Sequence, residues 1–307
     1  MHIQTHHLGH GSNLVLEFPT ARQGEAGLLK IVGGGRGCVF RSEGPAAGVW
    51  LPLRGRVQVN VGDTESILVP GELRVTEAGA RIQAIGRGNA LWVALLADAA
   101  SWRQILRTQQ AVPTPDPMLF PHRHAADRAL RLKGVALARA TANGALEAAA
   151  NALIDSLVEL QMPLAEIIAR CPGRTYVQRR QVFLRLQRVR NYIAANCHLE
   201  LDNAVLARMA NYSPWHFIRA FRAAYRETPH AFVTDQRLLR ARELLRRSPL
   251  AIAEIALASG FENRCAFSRL FRQRFGVPAG ALRRQLEIRT RRRTHVDRAI
   301  PATSVSA

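Results

Sequence analysis

Two stretches near the C-terminal end of the sequence are copies of one another: LARMANYSPWHFIRAFRAAYRETP at 206–229 and IALASGFENRCAFSRLFRQRFGVPA at 255–279. Up to the middle the offset is 49, pairing Ala207 with Ala256, Met209 with Ala258 and Tyr212 with Phe261. Beyond it the offset is 50, pairing Phe217 with Phe267, Arg219 with Arg269, Phe221 with Phe271, Arg222 with Arg272 and Tyr225 with Phe275. An insertion confined to the middle while both flanks keep register is the mark of a duplicated helix-turn-helix, because a turn tolerates an added residue and a packed helix does not.

Each copy predicts a short apolar helix with Ala where two helices approach closely, a turn opened by an aromatic residue, and a second helix with two faces. In the second copy Phe267, Leu270 and Phe271 form the core face, leaving Arg264, Cys265, Ser268 and Arg269 outward. In the first, Phe217, Ala220 and Phe221 face inward, and Trp215, Ile218, Arg219 and Arg222 outward. One such face is ordinarily a solvated charged surface; the same face in register twice points to recognition, with the N-terminal outward residues reaching base edges in a major groove. Between the copies, residues 230–248 contain neither Pro nor Gly and predict one helix. About 18 residues span ~27 Å, a length suited to setting two recognition helices into grooves ~34 Å apart.

Charge follows the same division. Of the formal net charge of +20, residues 176–307 carry +16, from 25 Arg, no Lys and 9 acidic residues. A basic half joined to a nearly balanced one predicts a polyanion partner for the former.

From about residue 12 to 98 the chain alternates apolar and polar residues in short runs, broken by Gly, Pro and Asp every eight to twelve positions. This predicts an antiparallel sandwich or barrel. RGRVQVNVGDTESILV reads as a hairpin turning at Gly62 and Asp63. After a Pro-rich stretch, VPTPDPMLFPHRH, apolar residues recur at three-to-four spacing: Leu130, Val135 and Leu137, then Leu146, Ala149, Leu153, Leu157 and Leu160. Such amphipathic helices pack against the barrel or against a second subunit, and both arrangements remain open. Pro172 and Gly173 then interrupt the helical pattern.

LPLRGRVQV and LVPGELRV resemble the small barrel of the cupin superfamily. A metal-binding cupin would place His and Glu on the first of these strands, where this chain has Trp50, Leu51, Pro52, Leu53 and Arg54. That leaves a pocket for an organic ligand, with Val49, Leu51, Val57, Val59 and Trp92 as candidate lining, or a filled core made of the same residues. No metal site is expected: His2, His6, His7 and His10 have no carboxylate or Cys at matching spacing, and His122 and His124 lie in the Pro-rich stretch. Cys38, Cys171, Cys197 and Cys265 lack CxxC spacing and are expected as free buried thiols. No catalytic constellation and no cofactor are indicated. Neither a membrane-length apolar run nor a secretory leader is evident, so the expectation is a cytoplasmic protein that meets no membrane and joins the nucleoid when bound to DNA.

Residues 185–286 resemble the DNA-binding domain of the AraC/XylS family of transcription regulators. The resemblance rests on IAEIALASGFENRCAFSRLFRQRFGVPAGALR at 252–283 and on RVRNYIAANCHLEL at 188–201. It implies an α+β chain with four parts: a cupin-like antiparallel β-barrel at 1–110 for sensing, a linker and helical dimerisation region at 111–180, an all-α domain at 185–286 with two helix-turn-helix units (about 203–224 and 252–275), and a basic, disordered tail at 287–307. By family position, Trp215, Ile218 and Arg219 fall on the first recognition helix and Arg264, Cys265 and Arg269 on the second, as base contacts. Arg222 and Arg272, further from the helix starts, are expected on phosphates. Ile218 offers no hydrogen bond and would meet a thymine methyl. The family's usual Gly after the recognition helix is Arg226 in the first copy and Gly276 in the second, which leaves the end of the first helix open. The implied partners are double-stranded promoter DNA, RNA polymerase, a small-molecule effector and a second copy of the chain. Two other readings stand beside this: a nonspecific architectural nucleic-acid binder, favoured by RTRRRTHVDR at 289–298, and a cupin-type enzyme.

Overall fold

The computed structural model describes residues 2–18, 28–62, 64–77, 79, 81–109, 117–140 and 143–285. The tail at 287–307, the first half of the Pro-rich stretch and Asp63 lie outside the described residues. The chain divides into two compact units, Met1–Asn191 and Tyr192–Ala307.

In the first unit two long strands, β5 (Ala46–Val61) and β8 (Ile82–Asp98), run antiparallel along their length. Every other strand extends one half of this ribbon. The N-terminal half of β5 carries β7 (Glu72–Thr76), which carries β9 (Arg123–Ala125); its C-terminal half carries β6 (Thr64–Leu68). The C-terminal half of β8 carries β3 (Leu28–Gly34), which carries β1 (His2–Leu8); its N-terminal half carries β4 (Val39–Glu43), which carries β2 (Asn13–Glu17).

The ribbon is irregular between Pro52 and Arg56, where the register shifts twice. Pro52 has no N–H for the ladder. Gly55 has φ 67°, and a Cβ there would stand 2.7 Å from the backbone of Ala90. Bulges of this kind bend a strand, and the two halves close over a shared core. Trp50 of one half meets Phe40 of the other with ring centroids 5.6 Å apart, and Trp92 at 5.7 Å. Val57, Val59, Leu68, Ala94 and Leu96 complete that core. Residues of opposite parity, including Val49, Leu51, Val93 and Leu95, point to the other face. There α1 (Ala99–Gln109), α2 (Arg128–Arg139) and α3 (Asn143–Arg170) cover them with Trp102, Ile105, Leu130, Leu137, Leu146, Leu153 and Leu157. The amphipathic stripe of the middle region thus packs on the sheet of its own chain.

The expected antiparallel barrel requires correction. The strands β1 and β3 pair in parallel, as do β2 and β4, so the sheet is mixed, and its path β1-β3-β8-β5-β7-β9 is open rather than closed. Alternation reports that a strand has two unlike faces; it is indifferent to the direction of the neighbour. The β5–β6 hairpin, whose closing pair is Val61 and Thr64, is local and was legible. The Pro-rich stretch is not wholly a linker either: Leu119 and His124 are buried, and 123–125 form an edge strand.

The helix α4 (Tyr176–Asn196) spans the boundary between the units. The second unit continues with α5 (Asn203–Met209), α6 (Pro214–Tyr225), α7 (Pro229–Arg247), α8 (Ile252–Ala258) and α9 (Arg264–Phe275). Both ends of α8 are displaced by 49 residues from those of α5, and both ends of α9 by 50 from those of α6. The extra residue therefore falls in the turn. Leu238, Ala241 and Leu245 of α7 share a core with Ile255, Ala256, Phe267 and Phe271, while at its other end Phe232 packs on Phe221 with centroids 6.1 Å apart.

Candidate nucleic-acid interface

The two helix pairs repeat in backbone detail. The turn between α5 and α6 holds Asn211 at φ 56°, and the turn between α8 and α9 holds Gly260 at φ 89°, again 49 residues apart. Asn tolerates the left-handed region better than most side chains. At Gly260 none would fit, since a Cβ would lie 3.0 Å from Cys197 O and 2.9 Å from Arg237 Nε. The C-caps of α6 and α9 are Arg226, at φ 60°, and Gly276, at φ 74°, each with its N–H donating to the carbonyl of Arg222 or Arg272. The end of α6 left open by the missing Gly is therefore the same left-handed cap, built with Arg.

The two N-termini differ. Asn263 Oδ1 accepts from the N–H groups of Cys265 (2.8 Å) and Ala266 (3.0 Å), which pins the first turn of α9. Ser213 makes no such bond; its Oγ pairs with His216 Nδ1 at 2.8 Å, and Pro214 at the start of α6 removes one N–H that would lack a partner.

On these frames the candidate base contacts are placed as follows. Trp215 is 61% exposed, and the Arg219 guanidinium stacks over its ring at 5.3 Å. Ile218 is half-buried beside them. Arg264, Cys265 and Arg269 are exposed, as are Arg222 and Arg272 one turn further along. At 100° per residue, Trp215, Ile218, Arg219 and Arg222 fall within an arc of about 100°, and Cys265, Ser268, Arg269 and Arg272 occupy the same arc of α9, with Arg264 just outside it. Within the described residues Arg264, Arg269 and Arg272 make no hydrogen bond or ion pair.

Other arginines of this unit are committed to the fold. Arg237 donates to Cys197 O (2.7 Å) and Leu199 O (3.0 Å), and Arg240 to Ala258 O (3.0 Å), so α7 ties down the C-terminal ends of α4 and α8. Arg274 pairs with Asp235 of α7, and Arg246 and Arg247 with Glu243. Net charge alone thus overstates the interface. Ser268, expected outward, lines a surface depression with Arg269, Arg272 and Gln273, and His216 stands edge-on to Trp215 at 5.0 Å; Gln273 and His216 were not among the outward residues read from the sequence.

The pocket candidates are dispersed. Val49 and Leu51 belong to the helix-covered core, and Val57, Val59 and Trp92 to the core between the sheet halves. Of the five, Trp92 alone borders the cavity of about 170 Å³ found in the first unit. Cys38, Cys171 and Cys197 are buried, and Cys265 is exposed, which departs from the general expectation of buried thiols but agrees with its outward place on the second helix of the repeat. Among the described residues no three His, Cys, Asp or Glu side chains group as a metal site, and no helix is long and apolar enough to cross a membrane.

Residues 206–285 match a family of helix-turn-helix domains. The regulator GlxA of Rhizobium meliloti, described as an HTH-type transcriptional regulator, is 43% identical over 88 residues, 28% of this chain and 26% of its own length. ExsA of Pseudomonas aeruginosa, described in the same words, is 24% identical over 241 residues, 75% of this chain and 83% of its own. A solved transcriptional regulator from Chromobacterium violaceum, described as AraC-type DNA-binding domain-containing, is 27% identical, with a TM-score of 0.32 over 33% of this chain and 91% of that one. The chain spans only about a quarter of the length of the first of these relatives.

Proposed function

We propose that residues 206–285, which match a family of helix-turn-helix domains, are an AraC-type DNA-binding domain and that the whole chain is a sequence-specific transcription regulator that reads an operator through two recognition helices, α6 and α9. The observation that carries this reading is the repeat itself. Two helix pairs offset by 49 and 50 residues present the same outward arc, and a merely solvated surface has no reason to repeat in register. As two helix-turn-helix units joined by α7, whose 19 residues span about 28 Å, they suit successive major grooves on one face of B-DNA.

Arg219, Arg264 and Arg269 read bases, guanine first, because a guanidinium matches its O6 and N7 acceptors. Trp215 fixes Arg219 by stacking and Ile218 meets a thymine methyl, while Arg222 and Arg272 hold phosphates. The N-terminal unit, an open mixed sheet covered by helices, senses a small molecule or holds two copies together as a homodimer, and the assembly meets RNA polymerase at the promoter.

The test is selection of an operator from a random duplex library, then competition against bulk DNA at fixed salt. Arg269→Ala is expected to cost about 1–3 kcal/mol at one base pair and relax preference there. Uniform weakening on all sequences would instead assign that Arg to phosphate, and failure of any sequence to win the competition would leave an architectural binder.

A further inference from the structure

Of the described arginines Arg74 alone is buried, with 8% of its surface exposed. It stands in β7 between Leu73 and Val75, which join the helix-covered core, so its side chain takes the opposite face. There it has Trp50 across from it on β5 and Arg123 across from it on β9. Arg123 already has an anion, since it pairs with Glu72 and donates to Ile67 O at 3.2 Å. Arg74 has none. No hydrogen bond or ion pair joins it to a described residue, and its Nη1 is sealed without a partner. Its other two nitrogens are unpartnered but not sealed, so the guanidinium meets solvent along its Nε–Nη2 edge.

Burial, then the Arg123 charge, pulls Arg74 down to about 10, which leaves it a cation at neutral pH. Buried charges are as a rule paired. Here one member of the pair is missing, and the open edge of the guanidinium is where it can enter. Glu72 is already spent: its Oε2 accepts from the Val69 N–H at 2.9 Å and from Arg123. A water molecule at the open edge would accept hydrogen bonds and leave the charge uncancelled.

We propose that Arg74 is the centre of an anion site on the β7–β9 side of the sheet, and that it takes a small monocarboxylate on its Nε–Nη2 edge. One uncompensated positive charge calls for one negative charge. Two parallel N–H donors in a plane match the two oxygens of a carboxylate, which a spherical halide does not offer. The site is independent of the DNA-reading helices; taking its ligand as the effector rests on reading the N-terminal unit as a sensor.

Acetate, acetamide and chloride are the probes, added at equal concentrations to the full chain without DNA while urea unfolding is followed by tryptophan fluorescence. A ligand that binds the folded chain alone raises the midpoint. Acetate should raise it; acetamide, which lacks the charge, and chloride, which lacks the second oxygen, should need about 10-fold higher concentrations. Arg74→Met, of similar reach and uncharged, should raise the midpoint without any ligand, because it removes the unpaired charge, and should abolish the acetate response. Arg269→Ala, on α9, should leave that response intact. If Arg74→Met does not fold, Arg74→Lys decides: it keeps the charge, loses the planar fork and should respond to acetate about 10-fold more weakly. No acetate response, acetamide or chloride equal to acetate, a lowered midpoint in Arg74→Met, or an acetate response that survives Arg74→Met, is undiminished in Arg74→Lys or vanishes in Arg269→Ala would each overturn the proposal. DNA is absent from this titration, so its failure leaves operator selection standing, and failure of operator selection leaves the titration unaffected.

Discussion

Arg226 ends α6 in the left-handed region, at φ 60°, where an L side chain crowds its own backbone and Gly does not. The equivalent cap of α9 is Gly276. Arg226→Gly is therefore expected to stabilise the domain by about 1 kcal/mol, read as a raised urea midpoint with unchanged slope and unchanged operator affinity. The missing Gly was visible in the sequence as a departure. Its consequence was not, since a residue that costs local strain gives no sign of whether the chain adopts another turn or accepts the strain. Phe217, Phe221, Phe267 and Phe271 were readable as core, because aromatic spacing on a helix leaves them one direction to face.

At the scale of elements, the two recognition helices share length and face but start differently. Asn263 supplies two hydrogen bonds to the first turn of α9, and Ser213 gives its hydroxyl to His216. Asn263→Ala is expected to cost about 1 kcal/mol and to loosen the turn that carries Arg264 and Cys265. Ser213→Ala should cost less than half as much. Urea unfolding of both variants checks the contrast, and equal losses would mean that Ser213 caps α6 after all. The existence of these helices and the place of the added residue were legible from the 49 and 50 offsets, whereas the end of α6 and the choice of hydrogen-bond partner at each cap depend on local geometry that spacing does not encode.

Across the molecule, the N-terminal unit carries a pH liability. His124 is buried and His122 half-buried, with rings 4.7 Å apart. Burial, then the neighbouring His124 and Arg190 charges, push His122 down to about 3; burial pushes His124 down to about 4. Gln187 Nε2 donates to His122 Nδ1 at 3.0 Å, which also favours the neutral ring. Both rings stay neutral in the folded chain while the unfolded chain takes up protons below about 6.5. Above that pH the two rings are neutral in both states and leave stability independent of pH. As pH falls from about 6 to 4, stability should drop by up to about 3 kcal/mol per pH unit for the pair. The tryptophan fluorescence of this unit, followed in urea at several pH values, reads the slope, and His124→Gln should roughly halve it. A slope unchanged in that variant would assign the acid sensitivity elsewhere.

The repeat, the apolar stripes and the segregation of charge are local or periodic properties, and they sufficed to establish two like helix pairs, their outward arginines and a strand-rich partner unit. Strand direction, the open path of the sheet, the pairing of 123–125 as an edge strand and the packing of the middle helices on their own sheet come from contacts between residues far apart in the chain, which periodicity does not report. The glycine run and Trp92 lay in view from the beginning as an alternating strand and an apolar residue. Only their meeting across β3 and β8 shows an indole N–H that is buried without a partner and packed on the bare backbone of Gly34, because a hydrogen-bond defect is a property of neighbours and not of a residue.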